Sequence, residues 1–349
     1  MNYLDKNIIF FFSQLDGGGG LTFTKSIYLK IKNINFFICS IKNNSKSNYI
    51  IKENNFKKLN LLQAFIKKNK ICVFNSQLSL LLSFFNIFGR NIYIPHGAGN
   101  NFKFFNRIRK LLFIIQINSP WIDNVIACGI SEFDNLKEII YLKKSKLLNI
   151  NISVHPNLYN LKNQTSKPFK YKLCFIGKII PQKGIDLLLK ALNNLDNGNL
   201  FTIRLYTNLN SPNNSKNFKY FNLVKDLISS SKAKILVNDP MPVNLINFNE
   251  FDFIVIPSRF EGLPSLIIEL GMNNIPMIVS DCDGIKELFE KNDLFMFENL
   301  NYIDLSRILK SINKNYIYVD KVTTTLKNKL IKDYSYSKFI DSYLNLFKQ

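Results

Sequence analysis

The sequence predicts an α/β chain of two doubly wound domains, and three observations carry that expectation. Its 349 residues exceed the roughly 100–200 typical of a single domain. Short continuous apolar runs alternate with amphipathic stretches from end to end, as parallel strands covered on both faces do. These runs fall into two series, parted by Pro156–Phe169 (PNLYNLKNQTSKPF), a polar, aperiodic stretch with two prolines that reads as a linker.

The first series is Ile8–Phe12, Asn35–Cys39, Ile71–Phe74, Ile92–Ile94 and Val125–Cys128. The second is Leu173–Ile176, Thr202–Tyr206, Lys234–Val237, Phe253–Ile256 and Met277–Ser280. Between them lie helical patterns such as Gly184–Leu195 and Ser265–Met272. The final stretch, Tyr334–Phe347, spaces Phe339, Tyr343 and Phe347 four apart, as one buried helix stripe requires. The expected domains are 1–157 and 168–332, with a terminal helix in 333–349 packing back on the first.

Composition excludes several classes. With 46% hydrophobic and 13% aromatic residues, the chain is neither disordered nor collagen-like. Five scattered cysteines (Cys39, Cys72, Cys128, Cys174, Cys282), without a CxxC pair, exclude a zinc or disulfide framework and fit a reducing compartment. Ile8–Phe12 is too short for a signal-peptide core, and no apolar run reaches a membrane span. A cytoplasmic protein, free or peripheral at the inner membrane face, is expected.

The net charge of +21 comes from 40 Lys and only 6 Arg, beside 48 Asn, which reads either as compositional bias or as a basic surface meeting an acidic partner. Bias alone should spread evenly, yet residues 1–155 carry net +14 and the rest +7. Residues 102–115 (FKFFNRIRKLLFII) read as a basic amphipathic helix, with Phe104, Phe105, Ile108, Leu111, Leu112 and Ile115 on one face and Lys103, Arg107 and Lys110 on another. That apolar face either packs on its sheet or contacts a membrane surface. No basic run is interleaved with exposed aromatics over a defined module, so nucleic acid is not expected as a partner.

The chemistry concentrates in two loops of the second half. In Pro257–Glu269 (PSRFEGLPSLIIE), Glu261 falls in a strand-to-helix turn and Glu269 over one turn inside the helix. Backbone amides of Gly262, Leu263 and Ser265, with the helix dipole behind them, suit an anion. In residues 175–192 (FIGKIIPQKGIDLLLKAL), Lys178 follows a strand and Lys183–Gly184 opens a helix, so both cations can reach a diphosphate. Carboxylates for hydroxyls beside cations for phosphates match a nucleotide sugar. In the first half, Gly17–Gly20 lets backbone approach a ligand closely. It is not GxGxxG, and no acid ends the second strand, which disfavours NAD. His96, in YIPHGAGNN, ends a strand and is one of two histidines. The other, His155, reads as structural.

The order G-K-x4-K-G, then P-S-R-F-E-G-x6-E, then S-D-C-D-G-I-K-E resembles the retaining glycosyltransferases of family 4 (glycosyl transferases group 1) over most of residues 170–349. The resemblance implies the GT-B fold, two Rossmann-like domains facing a central cleft, with Gly18, Gly19 and Gly20 on a cleft loop. It implies that Glu269 holds ribose hydroxyls and that Glu261 contacts the donor sugar. Lys178 and Lys183 would bind the diphosphate, and amides of Gly262, Leu263 and Ser265 its distal phosphate. His96 would approach the sugar and leaving phosphate, so the catalytic set is Glu261, His96 and Lys183. The family usually carries Arg where Lys178 stands; lysine keeps the charge and loses the fork. Many members also carry a residue with an N–H where Pro264 stands. Asp281-Cys282-Asp283 reads as a turn and Glu287 as a structural helix residue, with no metal and no cofactor expected.

The implied activity is retaining, metal-independent transfer from a nucleotide-diphospho-sugar, UDP ahead of GDP, to a glycan or lipid-linked acceptor. The implied setting is bacterial surface polysaccharide synthesis: O-antigen, lipopolysaccharide or capsule. A sugar-nucleotide epimerase of the same fold and a basic nucleic-acid-binding protein are the alternatives.

Overall fold

In the computed structural model the chain forms two compact units, Met1–His155 with Tyr334–Gln349, and Pro156–Asp333. The structure describes residues 7–14, 23–24, 26–28, 35–42, 57–86, 89–96, 107–141, 146–151, 153, 170–210, 217–241, 243–261, 264–286, 288–311 and 316–348. Gly18, Gly19, Gly20, Lys103, Phe104, Phe105, His155, Gly262, Leu263, Glu287 and the linker 156–169 lie outside them.

The first unit is built on strands β1 (Asn7–Gln14), β2 (Asn35–Lys42), β3 (Lys57–Lys58), β4 (Lys70–Phe74), β5 (Arg90–Tyr93), β6 (Asn124–Ala127) and β7 (Leu147–Asn149). They pair in parallel in the order β3-β2-β1-β4-β5-β6-β7. Every residue of β4 and β6 is buried, which is why these strands read as unbroken apolar runs. Helices α1 (Leu61–Ile66), α2 (Gln77–Leu80), α3 (Arg107–Ile117) and α4 (Ile130–Ile139) connect the strands from β3 onward. Asn60 and Ser76 start the first two with capping boxes. Ala64, Leu80, Phe113, Ile117 and Leu136 of these helices share one core with Ile9, Phe11, Cys72, Phe74 and Tyr93, so all four helices cover the same sheet face. Right-handed crossovers running one way along a sheet require that arrangement.

The second unit repeats the plan with β8 (Lys172–Ile176), β9 (Thr202–Tyr206), β10 (Lys234–Asn238), β11 (Phe253–Ile256), β12 (Met277–Ser280) and β13 (Phe295–Phe297), in the parallel order β10-β9-β8-β11-β12-β13. Its helices are α5 (Ile185–Asn193), α6 (Phe218–Ser229), α7 (Ser265–Gly271), α8 (Tyr302–Ser311) and α9 (Tyr316–Asp333). One core joins Leu173, Phe175, Leu205 and Val255 of the sheet to Leu188 and Leu192 of α5 and Leu305 of α8.

The last helix, α10 (Tyr336–Lys348), belongs to the first unit. Its Phe339 and Tyr343 meet the Phe23 ring edge to face at 5.7 and 5.3 Å, and Tyr336 Oη donates to Ser26 O at 2.6 Å.

Three strands, β3, β7 and β13, escape the sequence reading because they are two or three residues long at or near sheet edges. Of the two fates open to the apolar stripe of α3, packing on the sheet is not the one that forms. Ile108, Leu111, Leu112 and Ile115 are exposed, while Phe113, Gln116 and Ile117, on the opposite side, are buried. Among the described residues all five cysteines are buried free thiols, and no helix is long and apolar enough to cross a membrane.

Candidate active site

In the second sheet β8 and β11 are neighbours whose connections depart in opposite directions, β8 toward β9 and β11 toward β12. Loops leaving such a pair part from each other and open a crevice at the carboxyl ends of the strands. The two motif loops are the loops that follow β8 and β11.

Glycine lets these loops touch. Gly184 has φ +62°, and a Cβ there would lie 1.8 Å from the Pro257 carbonyl oxygen. Gly284, in the loop after β12, has φ +84°, and its Cβ would lie 1.9 Å from the Glu261 carbonyl oxygen. Segment 257–261 is thus pressed between the β8 and β12 loops. Backbone bonds hold it on both sides, Arg259 N donating to Gln182 O at 2.8 Å and Glu261 N to Asp283 O at 3.1 Å.

A side-chain clamp adds to this. The Arg259 guanidinium donates to both oxygens of Asp186, at 2.9 and 2.8 Å, and to Pro181 O at 2.6 Å. Tyr220 Oη donates to Asp186 Oδ1 at 2.6 Å. Burial alone would raise the Asp186 carboxyl, but these hydrogen bonds and the Arg259 and Lys190 charges outweigh it and hold it below its ordinary value. Asp186 also sits in the first turn of α5, where the helix dipole favours an anion.

Within this frame Lys183 Nζ meets Glu261 Oε1 at 2.8 Å, and Ser258 Oγ donates to the same oxygen at 2.5 Å. The buried Ser258 is itself held, since its carbonyl accepts from Ser280 Oγ. Lysine and carboxylate, 78 positions apart in sequence, form one charged pair at the crevice. Lys178 is exposed just past β8. Ser265 begins α7, and Glu269 is buried one turn further along it. Pro264 is the N-cap of α7 rather than its first helical residue, and its carbonyl accepts from Ile267 and Ile268 at 2.9 and 3.2 Å.

The Asp281-Cys282-Asp283 segment turns its carboxylates to structural partners. Asp281 Oδ1 accepts from Asn299 N at 2.7 Å, and Asp283 pairs with Lys286 at 3.0 Å. Among the described residues no group of three His, Cys, Asp or Glu side chains could hold a metal.

In the first unit His96 follows β5 with φ +48°, a left-handed backbone that non-glycine residues seldom adopt. Its Nε2 lies 2.8 Å from Asn75 Oδ1, at the end of β4, and its ring meets the edge of Phe23 at 5.1 Å. Burial lowers its pKa to about 4, so the imidazole is neutral at pH 7 and acts through hydrogen bonds rather than charge.

The sequence reading missed Ser258, Arg259, Asp186 and Tyr220. One signal pointed to Arg259: a lysine-rich chain places one of its six arginines inside the motif loop.

Two doubly wound parallel domains with their motif loops at the second switch point define the class: this is a GT-B fold. Its similarity to Anabaena HepE in complex with UDP-glucose covers 98% of this chain and 99% of that one, at 13% identity and TM-score 0.80. The HepE structure with UDP and glucose matches at TM-score 0.79 and 12% identity, over 98% and 99% of the two chains. Residues 159–329, just under half of the chain, match the family Glycosyl transferases group 1. The O-antigen biosynthesis glycosyltransferase WbnH of Escherichia coli is 27% identical over 209 residues, 59% of this chain. That match spans about half of the relative's length, 55%.

Proposed function

We propose that the chain is a retaining glycosyltransferase of family 4 that moves a sugar from a nucleotide-diphospho-sugar, UDP ahead of GDP, to a glycan or lipid-linked acceptor. The proposed setting is surface polysaccharide assembly on the cytoplasmic side of a bacterial membrane, with O-antigen the favoured product. The observation that carries this reading is the Lys183–Glu261 pair, fixed by three loops at the switch point. The O-antigen role of WbnH and the UDP-glucose bound by HepE support the choice of product and donor.

The charge that builds on the departing diphosphate is the obstacle in this transfer. Lys178 and Lys183 would neutralise it, aided by the amides of Gly262, Leu263 and Ser265. Glu261 pairs with the Lys183 ammonium. An arriving diphosphate competes for that cation and frees Glu261 to bind sugar hydroxyls, while Ser258 keeps the carboxylate in place. Glu269 would hold the ribose, and neutral His96 would contribute a hydrogen bond near the leaving group. The reaction would need no metal, so rates in EDTA should equal those without it.

The test is turnover with a panel of UDP- and GDP-sugars. Removing a single electrostatic donor of this kind typically costs about 10²–10³ in rate. Lys183→Ala and Glu261→Ala should therefore each lose at least about a hundredfold in kcat while melting as the parent does. Glu269→Ala should chiefly raise the donor KM. Near-normal turnover in the first two variants would overturn the assignment.

A further inference from the structure

We propose that the helical layer of the first unit is a docking face for an anionic lipid bilayer. The outer stripe of α3 is open to solvent, with Ile108 73% and Leu111 59% exposed and Leu112 and Ile115 beside them. The patch does not end there. Arg109 Nε donates to Gln77 Oε1 at 3.0 Å, which sets α3 against α2. The ring of Phe85, 69% exposed, meets Phe65 of α1 at 6.2 Å, and Leu62 on α1 is 71% exposed. Single exposed apolar side chains are ordinary, but a run of them across three neighbouring segments marks a contact surface.

Charge selects the occupant. From residue 54 to residue 122, which includes α1, α2 and α3, the chain carries ten Lys and Arg and not one Asp or Glu. A second copy of the chain would bring the same cations and repel. A polyanion such as nucleic acid would satisfy the cations and leave the aliphatic side chains in water. An anionic bilayer satisfies both, lipid tails receiving the leucines and isoleucines while headgroups meet the cations. The surface is broader than one amphipathic helix, and it does not depend on the donor-site reading.

The experiment is sedimentation of the full-length protein with phosphatidylglycerol-containing vesicles and with pure phosphatidylcholine vesicles. Binding is expected only to the former, and it should fall as salt rises. Leu111→Ser/Ile115→Ser should weaken binding about tenfold or more. Lys68→Gln/Arg107→Gln should weaken it and flatten the salt dependence. All four side chains are exposed, so both variants should melt with the parent. No binding by the parent would overturn the proposal, as would undiminished binding by the serine variant. A concentration-dependent dimer that the serine variant abolishes would assign the face to a second copy instead and overturn it too.

Discussion

Arginine is scarce in this chain, and three of its six occurrences do what lysine cannot. Arg90 reaches Leu346 O with one nitrogen and Asn124 Oδ1 with another. Arg204 pairs with Glu250 at 2.6 Å while lying over the Phe251 ring. Arg259 forks onto Asp186. Arg259→Lys keeps the charge and loses the fork, so it should destabilise the second unit by about 1–3 kcal/mol in denaturant. Because Arg259 positions loops, the donor KM should rise more than kcat falls. His96 makes a separate prediction. With an unfolded value near 6.5 and a folded value of about 4, the folded state binds fewer protons between them. Its contribution is therefore complete above pH 6.5 and lost as pH falls toward 4, about 3 kcal/mol in all. His96→Gln should melt with a shallower pH dependence across that window, and equal slopes would place the titration elsewhere. Lys183 and Glu261 were legible in sequence because each sits in a loop motif whose spacing has a reason. The Arg259–Asp186 fork was not, because its ends are 73 positions apart and only the meeting of two loops brings them together.

Among the elements, long buried strands were legible nearly to the residue, since five apolar residues in a row have few other uses. The α3 helix was harder. Its sequence carries two apolar stripes, one through Ile108, Leu111, Leu112 and Ile115 and another through Phe113 and Ile117. Helical period does not say which turns inward; the path from β5 to β6 decides that. The loop after β8 offers a sharper test. Gly184→Ala would place a methyl group against the Pro257 carbonyl in a left-handed backbone, so the two loops must separate. Activity should fall at least about tenfold, the cost typical of displacing positioned groups by an ångström or less. Tyrosine or tryptophan fluorescence with added UDP-sugar should show the matching loss of donor affinity.

At the scale of the whole molecule the chain leaves the first unit, builds the second, and returns. The returning helix α10 buries Phe339, Ile340, Tyr343, Leu346 and Phe347 against the first unit, and Ser153 Oγ donates to Tyr334 O at 2.6 Å where the chain re-enters. Tyr343→Ala should cost the first unit about 3–5 kcal/mol, as removal of a buried aromatic ring does. The donor-induced shift in melting of the second unit should survive. A variant ending at residue 333 should lose the first transition while keeping the second.

That return also sets an order of events during synthesis. Domains commonly fold as they emerge, the N-terminal one first. Here the first-made domain lacks a wall of its core until residues near 347 leave the ribosome, after every strand of the second domain has been made. The second domain can close while the first still waits, with Phe23 and its neighbours bare. Nascent chains that end at residue 333 and are tethered through an unstructured extension long enough to bring that residue out of the ribosome should therefore resist protease across residues 170–333 and be cut within the first 150.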